Sequence, residues 1–200
     1  MKKMILQLMI LVMLILAVPT TDVQAAGSNK KAYKAYANWL NKKAPSQYKK
    51  FTLVKLDGDK VPELVGQYKD RGMEYYIICS YDEKKVRTKE LAAGVAMVGG
   101  FRGVVSYIPK KGKILETYIY GGTGAGNDTV YQLKKGKFKK AASGSSQYNS
   151  RGKQTFKWGK KKVNGDTYNN NLNKAFNHSK EKSFADLKYI SKSNMKKKLR

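Results

Sequence analysis

Between residues 51 and 158 the chain is a succession of short β-prone runs, separated from one another by a few polar or glycine residues. Strands joined this closely pair antiparallel, because a parallel pair needs a crossover of a dozen or more residues. Residues 51–56 and 61–68 flank Asp57-Gly58-Asp59-Lys60, and residues 73–81 and 85–91 flank Asp82-Glu83-Lys84. Residues 103–108 and 113–120 meet at Pro109-Lys110-Lys111-Gly112, and residues 128–133 and 137–142 at Lys134-Lys135-Gly136. A short strand over 155–158 follows a polar loop at 143–150. Residues 92–100, small, apolar and glycine-bearing, receive no assignment. The last two turns lie in similar stretches, 106–113 and 130–137, offset by 24 residues. Two copies are too few for a propeller or solenoid, so a meandering sheet is expected.

Helical spacing occurs only at the ends. Tyr33, Tyr36, Ala37 and Leu40 make one apolar stripe and predict a helix over 29–42, capped by Ser28 or Asn29 and ended by Pro45. Tyr168, Leu172 and Phe176 are four apart, with Asn164 or Asp166 as cap. Ser183 and Asp186 resemble a capping box opening a last short helix through Phe184, Leu187 and Ile190. Strands that follow one another instead of alternating with helices place the chain in the α+β class. The expected architecture is an N-terminal helix, a meandering antiparallel sheet of about eight strands and C-terminal helices.

Residues 1–25 have the three parts of a secretory signal: Lys2 and Lys3, an apolar run from Met4 to Val18 broken only by Gln7, and Val23-Gln24-Ala25 before the cut. The apolar run is shorter than the roughly 18–20 residues that span a bilayer. The expected organisation is a signal peptide at 1–25, one secreted domain at 26–192 and a loose basic tail at 193–200, with no membrane span after cleavage. Losing Lys2, Lys3 and Asp22 lowers the formal charge only from +27 to +26. Such an imbalance repels itself in the folded state. Outside a cell, the partners it fits are anionic wall polymers, anionic lipid, acidic glycans and, without sequence preference, nucleic acid. A lysine-rich coat that serves only solubility is the plainer alternative.

Cys79 is the one cysteine, so no intramolecular disulfide exists, and its strand context predicts a buried thiol. His178 is the one histidine and reads as a helix-end residue. The sharpest motif is Leu56-Asp57-Gly58-Asp59-Lys60-Val61-Pro62-Glu63-Leu64. It is similar to calcium loops of the FG-GAP and EF-hand type, in which alternate carboxylates converge on a hard cation. Aligned so, Asp57, Asp59 and Glu63 are the metal-ligand candidates and Val61 offers a carbonyl. Lys55 stands at the usually acidic first position and Lys60 at the glycine position, so the loop is expected to keep its turn and to hold no metal. No cofactor is expected. The run Gly121–Asn127 lacks the Gly-Lys-Ser/Thr ending of a phosphate loop and precedes a strand, which predicts an inter-strand loop. Tyr118 and Tyr120 share one strand face, and with Lys134, Lys135 and Lys137 they are the candidate binding residues. Tyrosines that simply pack the sheet are the alternative. Asp57, Asp59, Glu63, Glu74, Glu116 and Asp128 supply carboxylates for a glycan hydrolase, yet no pair among them is marked.

The 56–64 segment, Tyr131-Gln132-Leu133-Lys134-Lys135-Gly136-Lys137-Phe138, and Lys157 to Val163 followed by Tyr168, Leu172 and Phe176 resemble small secreted proteins of unknown function from clostridia and related Firmicutes. The usual Asn between Trp158 and Gly159 is missing. The resemblance implies an extracellular or envelope-associated protein and transfers no catalytic residue. The function expected is a secreted, strongly basic, non-enzymatic domain that associates with anionic envelope or extracellular polymers. A carbohydrate-binding module using sheet tyrosines and a glycan hydrolase are the alternatives.

Overall fold

A computed structural model describes residues 21–95, 100–120 and 123–200, with side chains from residue 29 onward. The hairpin grammar of the sequence becomes one antiparallel meander, β1 (Lys50–Val54), β2 (Glu63–Asp70), β3 (Met73–Tyr81), β4 (Val86–Val95), β5 (Phe101–Ile108), β6 (Lys113–Ile119), β7 (Gly126–Lys134), β8 (Lys137–Tyr148), β9 (Gln154–Trp158) and β10 (Lys161–Val163). Each strand pairs with its chain neighbour in turn. Two short C-terminal strands complete the sheet: β11 (Lys182–Ser183) pairs with β5, and β12 (Ile190–Ser191) with β1. Helix α1 is Thr21–Lys42, α2 is Gly165–Ala175 and α3 is Lys192–Lys198.

The α+β class holds, but the described residues carry 12 strands, more than the eight or so expected. Part of the excess is β10, β11 and β12, two or three residues long and too short to carry periodicity. Residues 143–148, expected as loop, continue β8 instead. Their small side chains mark close packing: a Cβ on Gly144 would lie 2.4 Å from the Tyr168 ring and 2.7 Å from Trp158.

Alternate residues of the sheet enter different cores, as a period of two requires. Leu64, Ile77 and Cys79 face outward into a cluster with Tyr36, Trp39 and Leu40 of α1. Val65, Tyr76 and Ile78 face inward and meet Val105, Tyr107, Ile114 and Leu133 from β5 to β7. The meander is therefore curled so that β1–β4 and β5–β8 share one inner core. Outside the second half, Leu115 and Val130 pack under Leu172 and Phe176 at the α2 end.

Curling separates β4 from β5. Their ladder consists of Gly94↔Gly103 and Val95↔Phe101, with a register shift between Gly94 and Val95. Beyond it, Glu116 of β6 reaches across, accepting from the Ala92 N–H at 3.3 Å and from the Tyr131 hydroxyl at 3.2 Å. On β5 the edge is taken by Ser183↔Ser106 and Lys182↔Tyr107 of β11. Phe184 then enters the inner core, 4.8 Å from the Tyr107 ring and 5.5 Å from that of Tyr76. Buried backbone groups need partners, and these contacts supply them where the ladder opens.

Three sequence expectations shift at the termini. Helix α1 is described from Thr21 onward, so Ser28 and Asn29 lie inside it and not at its cap. Of the expected signal segment, residues 1–20 lie outside the described residues, and residues 21–25 lie within α1. Ser183 does act as a cap, accepting from the Ala185 N–H, but only a single 3-10 turn follows and Ile190 joins β12. The segment 193–200, expected to be loose, lies largely in α3, capped by Ser191, and buries Met195 and Leu199 beside Tyr36 and Phe51. Its sequence looks like a tail because six of its eight residues are polar or basic and only one stripe is apolar. Deleting residues 192–200 is expected to cost about 3–5 kcal/mol, from two apolar side chains returned to water. Urea unfolding of the truncated and full chains measures it, and an unchanged midpoint would show that α3 is not part of the core.

Candidate functional site

The Asp57–Glu63 loop is where sequence motif and structure converge. It connects β1 to β2, and its alternating acids come together, with one oxygen each of Asp57, Asp59 and Glu63 within 4.8 Å of the others. Asp57 and Glu63 are buried and Asp59 is exposed.

The local hydrogen bonds explain this convergence. The Asp57 Oδ1 accepts from the Asp59 N–H at 3.0 Å, and the Asp59 Oδ1 from the Val61 N–H at 2.8 Å, two successive Asx turns. The Glu63 Oε2 accepts from the Leu56 N–H at 2.9 Å, and its Oε1 accepts from the Ser80 hydroxyl on β3 at 3.2 Å. The carboxylates thus satisfy loop N–H groups that no strand reaches. The loop's carbonyls point elsewhere. Lys55 O accepts from the Lys110 N–H at 3.3 Å and Leu56 O from the Gly112 N–H at 2.8 Å. Gly112 in turn accepts from the Leu133 N–H at 2.6 Å. The acidic loop is a clasp that ties the β1–β2 connection to the β5–β6 turn, across the mouth of the inner core.

Gly112 shows how tight the clasp is. It has φ +66°, and a Cβ there would stand 2.0 Å from the Leu133 carbonyl oxygen.

Burial raises the acids. Desolvation lifts the Glu63 carboxyl to about 8 against the opposing Leu56 N–H, with Asp57 and Asp59 adding like charge. Desolvation also lifts Asp59, to about 6, although the Val61 N–H works the other way. Burial first, and the Glu63 charge second, push the Tyr36 phenol up.

The donor set fits a hard cation poorly. Calcium takes six to eight oxygens. Here three carboxylates supply the cluster, and the named oxygens of each already accept hydrogen bonds. Lys55 acts on Asp59 as a nearby positive charge.

The other sequence candidates scatter. Lys134, Lys135 and Lys137 are exposed at the β7–β8 turn. That turn packs on the β3–β4 connection, where a Cβ on Gly136 would lie 2.4 Å from the Tyr81 carbonyl oxygen. Tyr118 and Tyr120 lie at the opposite end of the sheet, their rings 5.2 Å apart and at 73° to each other. The Asn127 amide donates to the Tyr120 hydroxyl at 2.8 Å. Cys79 is wholly buried on β3, and desolvation raises its thiol well above the usual range. His178 lies in a 3-10 turn, its Nδ1 3.1 Å from Glu181. The Gly121–Asn127 run is described from residue 123 onward: the Ala125 carbonyl accepts from the Tyr120 N–H at 2.8 Å, and β7 starts at Gly126.

The acids named for hydrolysis are separately engaged. Glu116 closes the β4–β5 gap. Glu74 pairs with Lys69 and accepts from Tyr76. Asp128 accepts from Thr117 at 2.5 Å and from Tyr168 of α2 at 2.6 Å.

A feature that sequence reasoning left unweighted is the far end of the sheet. Between Asp128 and Asp166 the chain has eleven lysines and arginines and no acid. All eleven are exposed, on β7 to β10 and their turns, and none makes an ion pair among the described residues. The signal was legible as a long stretch without a carboxylate. Beside it lies an open groove between β8, β9, β10 and the start of α2, with Lys153, Lys157 and Lys162 along it.

Glu63 gives the clasp a pH dependence. Its folded value of about 8 exceeds the ordinary carboxyl value of 4.5, so the folded state holds the proton more tightly. Stability should fall as pH rises between about 5 and 8, with a slope from Glu63 of at most about 1.4 kcal/mol per unit and a further contribution from Asp59 below about 6, and level off above. Glu63→Gln should flatten that profile in pH-dependent melts; an unchanged profile would place the titration elsewhere. Millimolar calcium should leave the melting temperature where chelator leaves it, since a ligand bound only by the folded state raises it.

No family model matches the chain, and comparison with curated proteins and with solved structures gives no significant match either.

Proposed function

We propose that the protein is a secreted, non-enzymatic domain that holds to anionic polymers of a cell envelope or its surroundings. The observation that carries this reading is the carboxylate-free span between Asp128 and Asp166, eleven exposed cations on one edge of the sheet. Elsewhere the acids have local tasks: they close turns, bridge strands or pair with neighbouring cations. The β7–β10 span is the largest of the carboxylate-free stretches, beside eight lysines between Asp22 and Asp57 and six cations after Asp186, and it raises the local concentration of any polyanion.

Lysine supplies ten of the eleven charges. Lysine is a compact point charge on a flexible stem, suited to many phosphates or carboxylates along a chain and not to one bidentate partner. That favours wall polymers and acidic glycans, with nucleic acid bound in the same sequence-blind way. The signal-like residues 1–25 support a location where such polymers are found, and so does the resemblance to secreted clostridial proteins.

The clasp belongs to this reading as architecture. We propose that its acids act as turn-formers and that no cofactor takes part. The carbohydrate-module alternative asks Tyr118 and Tyr120 for a flat stacking platform, and their edge-to-face arrangement does not offer one.

Retention on isolated wall polymer should fall steeply between about 0.05 and 0.5 M salt as the contacts are screened. Replacing Lys157, Lys160, Lys161 and Lys162 with Gln should weaken it at least tenfold at low salt, while the same changes at Lys30, Lys31, Lys34 and Lys42 on α1 should do less. No retention at low salt, or equal losses from both sets, would overturn the reading.

A further inference from the structure

The large apolar side chains exposed among the described residues are Val95, Phe101, Val104, Tyr120 and Tyr148, each 42–51% exposed. Three of them are not scattered. Val95 ends β4 and Phe101 opens β5, and the two are cross-strand partners. Gly103 pairs with Tyr118, which sets Phe101 and Tyr120 at matching depth on adjacent strands. The Tyr120 hydroxyl accepts from Asn127 of β7. Gly124, in the connection from Tyr120 to β7, lies against the Tyr148 ring, which a Cβ there would approach to 2.7 Å. Val95, Phe101 and Tyr120 thus form an apolar strip on one face at this end of the sheet, from β4 to β6 and roughly 10 Å across at the usual strand spacing, while the register puts Val104 and Tyr148 on the other face.

The strip has a basic border. The acids at this end, Asp70 and Glu74, are matched by Arg71 and Lys69. Arg151 and Lys153, in the β8–β9 connection beside Tyr148, are exposed, whereas Arg102, between Phe101 and Gly103, is half-buried with its Nη1 wholly buried; none of the three makes an ion pair among the described residues.

We propose that this end of the sheet is a membrane-surface contact, in which the strip enters the headgroup region of an anionic bilayer and the border cations meet its phosphates. Exposed apolar patches of this kind mark interaction sites. The chemistry of this one selects the occupant. Val95 and Phe101 offer no side-chain hydrogen bonds, so they reward transfer to an apolar phase and do not read a sugar. Tyr120 is an amphipathic ring of the kind that settles at a membrane–water interface. Cationic side chains beside apolar ones give the two signals that peripheral attachment needs, because charge alone is screened and apolar contact alone is weak. Among the described residues no helix is long and apolar enough to cross a membrane, so the contact is superficial.

The inference rests on the basic-surface reading for its border cations Arg151 and Lys153, which belong to the β7–β10 set; its apolar contact, Val95, Phe101 and Tyr120, lies at the ends of β4–β6. The test is co-sedimentation of the full-length chain after signal removal with vesicles of phosphatidylcholine alone and of phosphatidylcholine with 30% phosphatidylglycerol. Binding to the anionic vesicles, with a fraction that survives 0.5 M salt, is expected. Phe101→Ser with Tyr120→Ser should weaken vesicle binding at least tenfold, remove the salt-resistant fraction and leave retention on wall polymer unchanged. The lysine-to-Gln set on β9–β10 should do the reverse. Because Cys79 is buried, an environment-sensitive dye on Phe101→Cys reports position independently of affinity. Its emission should shift to the blue on anionic vesicles, and the same dye on Lys161→Cys should not shift. Equal vesicle binding by the Ser variant, no shift at position 101, or capture of wall polymer without any binding to vesicles would each overturn the proposal. In the last case the polymer reading would stand.

Discussion

The structure depends on a single sheet being curled until its two halves share an inner core. Tyr76 and Ile78 from the first half and Tyr107, Ile114 and Leu133 from the second can be buried together only if β4 and β5 part company. Parting leaves backbone groups unpaired in a buried place, which a fold tolerates only when something else satisfies them. Glu116 reaches the Ala92 N–H, β11 covers the edge of β5, and Phe184 fills the space between the halves. The acidic loop ties the opposite end through the Leu56 carbonyl and the Gly112 N–H.

This explains where the acids go. In a chain with 41 basic residues and 14 acidic ones, ion pairing is not what most described carboxylates do. Asp57, Asp59, Glu63, Glu116 and Asp128 accept from backbone N–H groups or hydroxyls. Asp82 does both, accepting from Lys84 and Lys85 N–H groups while it pairs with Arg87, and its carboxyl is held down to about 2 mainly by the Lys85 N–H. The consequence is a charge division: acids drawn into turns and seams, lysines left on the edge strands. Lysine-rich edges also discourage pairing with a second sheet, so these side chains protect β10 from aggregation.

Much of the sheet was legible because turn chemistry is local. Asp57-Gly58, Pro109 to Gly112 and Lys134-Lys135-Gly136 each announce a reversal, and Lys110, Gly112, Lys135 and Gly136 take the positive φ such turns require. The convergence of Asp57, Asp59 and Glu63 was legible for the same reason. What the loop holds was not. Its likeness to calcium loops comes from alternate carboxylates gathering around a tight turn, and the same gathering serves to satisfy N–H groups. The extension of β8 through Ser143–Tyr148 was hidden because polar small residues resemble a loop until Tyr168 and Trp158 are seen to need the room.

The sequence by itself determined the meander of neighbouring strands, most of its turn positions, helices within 29–42 and 165–175 and the excess of positive charge, all properties of neighbouring residues. Tertiary structure alone decided that the basic tail would become α3, with Met195 and Leu199 closing the core over Tyr36. It alone placed Glu116 against a backbone 24 residues away and brought Val95, Phe101, Tyr120 and Tyr148 to one rim. The reason is physical. Periodicity states which side of a strand an apolar residue occupies, but only the curl of the sheet decides which of those sides is covered and which is left to water.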